Sequence, residues 1–208
     1  MQLDVEPPFV LFKPVDDERA YYDGLDEDSP WELLGGRLAM SPASERHEDL
    51  FRFLLTLFSG HLDERGGAVV RGSRYPMRLD PQWSPEPELL VVTDANRHRM
   101  TSRRLEGPGE LVVEIASDGD PGLDEREKLP RYEAAAIPEI WLVHPQTETV
   151  LVRRLQPGGA YAGERLARGR LDSSVIPGFW IGVEWLWQDQ LPSTLACLRQ
   201  ILGGVVGR

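Results

Sequence analysis

Two glutamates stand at positions where a charged side chain is unusual. Glu88 immediately precedes the apolar run 89–92, and Glu114 interrupts the apolar run 111–116. Burying a carboxylate in such a strand is costly unless a bound cation, a basic side chain or a proton compensates for its charge. If neighbouring strands bring the two carboxylates together, they repel each other until a divalent ion, which prefers oxygen ligands, binds between them. The pair therefore indicates a candidate site for a divalent metal ion.

Lys128 follows Glu114 on a segment that is expected to pack back over the same strand. It is one of only two lysines, the other being Lys13, among 23 basic residues. A lysine beside a metal-bound water can orient the attacking oxygen and stabilise a phosphorane-like transition state. Asp124, Lys128 and Tyr132 are spaced by four residues, so they share one face if this segment is helical. Together with the two glutamates, the lysine indicates phosphate-ester hydrolysis.

Two simpler interpretations of these residues remain open at this point. Glu114 could be one half of a buried ion pair with an arginine such as Arg71 or Arg78. Lys128 could form an ordinary pair with Asp124, one helical turn away, on a solvated face. Either arrangement would leave the residue without a catalytic role.

The elements that would position these residues follow from the apolar pattern. Two short strands at 31–34 and 37–40 around a Gly-Gly turn predict a hairpin. Apolar residues recur at three- and four-residue steps from Leu50 to Leu62 and predict a long amphipathic helix. The glycines at 66 and 67 are expected to end it.

A parallel strand–helix–strand unit is predicted in the middle of the chain, from the apolar run 111–116, the helical pattern over 123–136 and the strand 139–144. Pro130 requires the helix either to begin near residue 129 or to be kinked there. Further strands are predicted at 68–71, 75–79, 88–92, 149–155, 160–166 and 174–176. The predicted fold class is α/β, a mixed β-sheet flanked by helices, with an added antiparallel C-terminal part.

Composition limits the classes of protein that fit. The 208 residues, 41% of them hydrophobic, are enough to bury a core, and the single cysteine, Cys197, excludes an intramolecular disulfide and a cysteine-based zinc site. The chain lacks an apolar run long enough to span a bilayer and a secretion-signal pattern at 1–8, so we expect a cytoplasmic protein with no membrane partner. The net charge of −11 opposes long-range attraction of nucleic acid, which a local patch would have to overcome.

An ordered set of segments resembles a bacterial restriction-endonuclease-like family. The set comprises WELLGGRLAMSPAS at 31–44 followed by His47, PEL at 87–89, LVVEIAS at 111–117, Lys128 with Tyr132, IPEIWLV at 137–143, and IPGF at 176–179. The resemblance covers about residues 16–190 and implies a restriction-endonuclease-like fold of the PD-(D/E)xK nuclease superfamily. We accordingly expect an acidic arm with a short helix (1–30), a restriction-endonuclease-like domain (31–190) and a C-terminal helix (191–208).

The resemblance also implies roles for particular residues. Glu88 and Glu114 correspond to the two acids that bind Mg²⁺, and Lys128 corresponds to the catalytic lysine, displaced from the strand onto the following helix. Glu32 matches a glutamate on an early strand, and His47 matches a histidine on the first long helix. These five residues are the candidate catalytic set, with Glu88 and Glu114 as the metal ligands.

The function expected from the residues and the resemblance is that of a DNA endonuclease dependent on Mg²⁺ or Mn²⁺. Glu88 is one methylene longer than the aspartate usual at its position, and Ala116 stands where a strand lysine would be. These departures favour an alternative, a catalytically decayed nuclease fold that binds nucleic acid or protein. Because an enzyme that cuts both DNA strands favours two-fold symmetry, we expect a homodimer.

Overall fold

The computed structural model describes residues 11–14, 31–40, 43–72 and 75–203. No helix in this described part is long and apolar enough to cross a membrane. Its α-helices are α1 (Glu45–Arg65), α2 (Leu129–Ala134) and α3 (Thr194–Ile201), and short 3-10 helices lie at Asp94–Arg99, Pro145–Thr147 and Val183–Trp187. Its strands are β1 (Leu11–Pro14), β2 (Glu32–Leu34), β3 (Arg37–Met40), β4 (Ala68–Gly72), β5 (Met77–Arg78), β6 (Trp83–Ser84), β7 (Leu89–Thr93), β8 (Leu105–Glu106), β9 (Leu111–Ile115), β10 (Glu139–His144), β11 (Thr149–Leu155), β12 (Tyr161–Leu166), β13 (Arg170–Asp172) and β14 (Trp180–Gly182).

A six-stranded sheet with the order β12-β11-β10-β9-β7-β4 forms the centre of the fold. Strands β9 and β10 are parallel and are joined by the helical segment 124–134, whereas all other neighbours in this sheet are antiparallel. The parallel pair requires a crossover connection, which the helical segment supplies. The predicted α/β class, with a mixed sheet flanked by helices, is confirmed.

Helix α1 covers one face of the central sheet. The Ser44 hydroxyl accepts a hydrogen bond from the His47 amide at the first turn, and Gly66 follows the helix with a φ of 69°, which glycine adopts without steric cost. Between these ends, the predicted apolar stripe is buried from Leu50 to Leu62. The stripe packs on alternate residues of β9. The side chains between them therefore point to the opposite face of the sheet.

The opposite face of the sheet is covered by the segment between β9 and β10. Asp124–Lys128 forms one π-helical turn, in which the Leu129 amide donates to the Asp124 carbonyl oxygen, and it continues directly into α2. Pro130 lies in the first turn of α2, where its missing N–H is not needed. The α-helix therefore begins at Leu129, one of the two predicted solutions, and a π turn precedes it.

A smaller sheet, with the order β1-β3-β2-β6, contains the predicted hairpin. Gly35 and Gly36 form its turn with φ values of 59° and 71°, in the left-handed region that glycine favours. Strand β1, which the sequence pattern did not predict, pairs antiparallel with β3. The helix predicted within the N-terminal arm lies outside the described residues.

The strand predicted at 174–176 is wrong. The amides of Ser174 and Val175 donate instead to Glu139 Oε2, at 2.9 and 3.2 Å, and the Ser173 hydroxyl donates to the same oxygen at 2.7 Å. Glu139 is completely buried at the start of β10. These amides are therefore satisfied by a side chain rather than by a neighbouring strand. The antiparallel C-terminal pair consists of β13 and β14.

Candidate active site

Glu114 is buried near the end of β9, on the face that the segment 124–134 covers. Side chains alternate along a strand, and Leu111 and Val113 point towards α1, whereas Val112 points the other way. Glu114 shares the face of Val112, and its side chain is only 3% exposed. The alternation of the strand therefore places its carboxylate beneath the π turn and α2.

Lys128 projects from the π turn into a group of three carboxylates. Its Nζ lies 3.0 Å from Glu32 Oε1, 3.3 Å from Glu114 Oε1 and 3.3 Å from Asp124 Oδ1. Glu32 is brought to the group by strand β2, and Asp124 begins the π turn that ends at Lys128. The small sheet, the central sheet and the crossover segment thus meet at one ammonium group, whose side chain is 6% exposed.

Burial and neighbouring charges shift the pKa values of Glu114, Glu32 and Lys128. Burial raises the pKa of Glu114 well above its usual value; the attraction of Lys128 opposes this shift, and repulsion from Asp124 and Glu32 adds to it. Burial likewise raises the pKa of Glu32. Burial alone would lower the pKa of Lys128, but the three carboxylates outweigh it and raise that pKa well above its usual value. When all are ionised, three negative charges face one positive charge.

Two further hydrogen bonds fix the glutamates of this group. The Tyr132 hydroxyl, on α2, donates a short hydrogen bond to Glu114 Oε1, the same oxygen that faces Lys128. The Glu86 amide donates to Glu32 Oε2 at 3.1 Å. Glu32 is therefore held through both oxygens, whereas Glu114 is held through one.

Glu88 forms a second contact group at the same end of the sheet. It directly precedes β7, whose first residue, Leu89, pairs with Val113, the residue before Glu114, so both glutamates adjoin the same paired position at this end of the sheet. Glu88 Oε1 lies 3.2 Å from Nε2 of His47, near the N terminus of α1. Burial lowers the pKa of His47, but the hydrogen bond and charge of Glu88 outweigh it, so that pKa is raised. The two groups thus bring all five predicted residues to one region.

Of the two simpler interpretations, the arginine partner of Glu114 is wrong, and the pair of Lys128 with Asp124 is present but buried. Arg71 donates to the carbonyl oxygen of its neighbour Val70, and Arg78 contacts Glu106, so neither supplies the cation for Glu114. Lys128 does contact Asp124, but the residue is 4% exposed and does not lie on a solvated face. The lysine, rather than an arginine, is the basic partner of the buried strand glutamate.

The residues fit a divalent cation in donor chemistry and in charge. No three His, Cys, Asp or Glu side chains among the described residues are grouped as a metal site. Mg²⁺, however, is commonly bound through only one or two carboxylates, with waters and substrate phosphate completing its shell. Glu114 and Glu88 each make their contacts through Oε1, and no hydrogen bond from the described chain reaches either Oε2. Two hard oxygen donors therefore remain beside a cluster of three carboxylates and one ammonium group.

Asp124 and Tyr132 belong to the site but were not among the predicted site residues. Both lie four residues from Lys128, and that spacing was the available signal. Asp124 is 8% exposed and Tyr132 is completely buried. The spacing indicates a shared face, but only the packing of that face on β9 brings both residues to Glu114.

Comparison with known proteins gives a matching family and similar solved structures. The model of the Uma2 family, described as "Putative restriction endonuclease", matches residues 17–184. The chain is also similar to a crystal structure from Anabaena variabilis ATCC 29413, described as a "putative nuclease belonging to DUF820". The two share 14% sequence identity with a TM-score of 0.66, over 80% of this chain and 94% of that one. At this identity the likeness shows the fold alone. A search of curated proteins finds no match.

Proposed function

Because the chain belongs to the Uma2 family, we propose that it is an endonuclease that hydrolyses phosphodiester bonds of DNA with Mg²⁺ or Mn²⁺ as cofactor. The family and the nuclease-like fold support a nuclease. The observation that carries the finer proposal is the contact of Lys128 with the buried Glu114, beside Glu88 at the same end of the sheet. Carboxylates that can hold a divalent cation, with a basic group beside them, suit metal-assisted phosphoryl chemistry.

Glu88 and Glu114 would hold the cation through the oxygens that face neither His47 nor Lys128. When bound there, a divalent cation supplies Lewis-acid polarisation of the scissile phosphate and lowers the pKa of water. His47 orients Glu88 through its Nε2, which lies 3.2 Å from Oε1. Since the Asp-to-Glu change lengthens the first acid, this histidine contact restricts a side chain that is otherwise more flexible.

Lys128 acts through its positive charge in this proposal. Three carboxylates raise its pKa well above the usual value, so it keeps its proton at neutral pH and does not serve as a general base. Its ammonium can orient the attacking water and stabilise charge that develops on the phosphate oxygens. Glu32 and Asp124 hold the ammonium in place at 3.0 and 3.3 Å.

The reaction is hydrolysis. The water oxygen forms a new bond to phosphorus, and the bond from phosphorus to the leaving sugar oxygen breaks. A proton lost from the water balances the one gained by the leaving alkoxide. No other reactant is required.

Nicking of supercoiled plasmid DNA tests this proposal. We expect Mg²⁺-dependent nicking by the wild type, suppressed by chelation, and its loss in Lys128→Ala and Glu114→Gln. Asp120→Asn is the matched control, because it alters an exposed pair with Arg126 on the same connecting segment. Nicking that survives in both site variants would refute the assignment.

The second candidate is a decayed nuclease fold that binds nucleic acid or protein without catalysis. Glutamate in place of aspartate at 88 and the net charge of −11 favour it. A titration of the unfolding temperature with Mg²⁺ separates the candidates, because a ligand that binds only the native state stabilises it by mass action. A saturable increase supports the metal site, and a flat titration supports the decayed fold.

We also propose that the nuclease acts as a homodimer on duplex DNA. Two-fold symmetry would place one site at each strand of a symmetric target. Light scattering should give about twice the chain mass of 23.5 kDa. A mass equal to that of one chain, with nicking retained, would remove the dimer from the proposal.

A further inference from the structure

Tyr132 is a buried polar residue that the proposed mechanism does not use. It is completely buried on α2, among the apolar residues of the face opposite α1. Its hydroxyl donates a short hydrogen bond to Glu114 Oε1. That oxygen also faces Lys128 Nζ at 3.3 Å, so both contacts of Glu114 converge on one of its two oxygens.

Packing alone does not explain a tyrosine at this position. The ring lies with Leu129, Ile140 and Leu142 in one apolar cluster, where a phenylalanine ring would bury the same surface. Burying a hydroxyl costs free energy unless it is hydrogen-bonded, so the phenol is tolerated here because Glu114 accepts its hydrogen bond. What the hydroxyl adds is control over the orientation of Glu114.

The two partners of Glu114 control that orientation differently. Lys128 is shared among three carboxylates, so its attraction is not directed at Glu114 alone. The Tyr132 hydroxyl is carried by a rigid ring in a packed core, has one acceptor, and brings no charge. Burial and the nearby carboxylate of Glu114 raise the pKa of Tyr132 well above its usual value, so the phenol remains a donor throughout the neutral range.

We propose that Tyr132 is a positioning residue, whose hydroxyl ties down Glu114 Oε1 and so turns Oε2 towards the divalent cation. This inference rests on the proposed function, because it assigns a role towards the same metal ion. It does not make Tyr132 a metal ligand or a group that contacts substrate. Partners that orient a metal-binding carboxylate in this way commonly contribute 10- to 100-fold to metal affinity or activity.

Tyr132→Phe tests the inference, with Tyr161→Phe as the matched control. The Tyr161 hydroxyl donates to the Ile137 carbonyl oxygen at 2.6 Å, and its ring packs against the same apolar cluster. Each variant therefore removes one hydrogen-bonded phenol hydroxyl, but only Tyr132→Phe removes it from Glu114. The measurements are the Kd for Mn²⁺ by calorimetry, the unfolding temperature in chelator, and kcat and KM for plasmid nicking.

We expect Tyr132→Phe to weaken Mn²⁺ binding by about 10- to 100-fold and to lower kcat with little change in KM for DNA. We expect Tyr161→Phe to bind Mn²⁺ and cut DNA as the wild type does. In chelator, Tyr132→Phe should lose at least as much stability as Tyr161→Phe, because its hydroxyl is completely buried and its acceptor is a carboxylate. If the Tyr132 hydroxyl had only a structural role, Tyr132→Phe would lose stability in chelator but would bind Mn²⁺ as the wild type does.

Three outcomes would overturn the inference. They are a wild-type Kd in Tyr132→Phe, equal weakening in both variants, and a wild type that binds no Mn²⁺. A wild type that binds Mn²⁺ without cutting DNA would refute the proposed function but not the inference, because the Mn²⁺ measurement still compares the two variants.

Discussion

Replacing Lys128 by methionine removes an ammonium from the centre of three carboxylates while keeping a side chain of similar length. Glu32, Glu114 and Asp124 lie 3.0 to 3.3 Å from Nζ, and the lysine side chain is 6% exposed. Removing one partner of a buried ion pair costs about 3–5 kcal/mol, because the remaining charge stays buried without compensation. For a domain of about 150–250 residues, each kcal/mol lowers Tm by about 2–4 °C, so we expect a loss of about 6–20 °C.

The assay for this prediction is thermal unfolding of the metal-free protein at two pH values. Without the ammonium the pKa of Glu114, already raised by burial, must rise further. Protonation then absorbs part of the cost at low pH, so the loss in Tm should be smaller at about pH 5 than at about pH 8. Arg52→Met is the control, because Arg52 is 78% exposed and pairs with Asp49 on the surface of α1. Exposed pairs of this kind contribute at most about 1 kcal/mol.

A Lys128→Met protein that unfolds within about 2 °C of the wild type at both pH values would refute the reasoning. It would mean that the carboxylates do not depend on Lys128 for compensation. Equal losses in Lys128→Met and Arg52→Met would have the same meaning. If the cation can take over part of this compensation, added Mn²⁺ should raise the Tm of Lys128→Met by more than it raises the Tm of the wild type.

Three further predictions concern stability. Because the pKa of Glu114 is raised, its contribution to the stability of the metal-free fold is fully present below about pH 4.5 and is lost as pH rises through the raised pKa. Glu114→Gln should therefore flatten the pH dependence of the free energy of unfolding in urea. An unchanged pH dependence would contradict this prediction. Glu139→Ala should lower the free energy of unfolding in urea by at least about 3 kcal/mol, because it removes a fully buried carboxylate that accepts five hydrogen bonds. The Mn²⁺ affinity should not change. A loss under about 1 kcal/mol would show that this carboxylate is dispensable. Gly109→Ala should lower the free energy of unfolding by about 1–3 kcal/mol, since its Cβ would overlap Leu90 and lie 3.0 Å from the Val91 carbonyl oxygen. Wild-type stability in the same assay would refute the clash.

The main elements of the fold could be predicted from periodicity alone. The apolar stripe from Leu50 to Leu62 defines α1, and the runs around 111–116 and 139–144 define the parallel pair. Both signals are local, because burial of one helix face or of both strand faces dictates the residue types. The π turn before Pro130 carries no such local signal, since an i→i+5 hydrogen bond at Asp124 adds no apolar pattern to the chain.

The failed strand at 174–176 shows why distant partners limit such predictions. Its backbone amides bind Glu139, which lies far away in the sequence, so no local pattern distinguishes this turn from a strand. The candidate site has the same limit. Its residue types could be predicted, but the choice of Lys128 rather than Arg71 or Arg78 as the partner of Glu114 depends on how the connecting segment packs over β9.

The most direct test of the metal-site proposal is an anomalous difference map from crystals soaked in Mn²⁺. We predict one strong peak per chain in contact with Glu114 Oε2 and the carboxylate of Glu88, and no peak at that position in Glu114→Gln crystals. A map with no peak there, or with Mn²⁺ bound only at other carboxylates of the surface, would contradict the proposal that these two glutamates hold the catalytic cation.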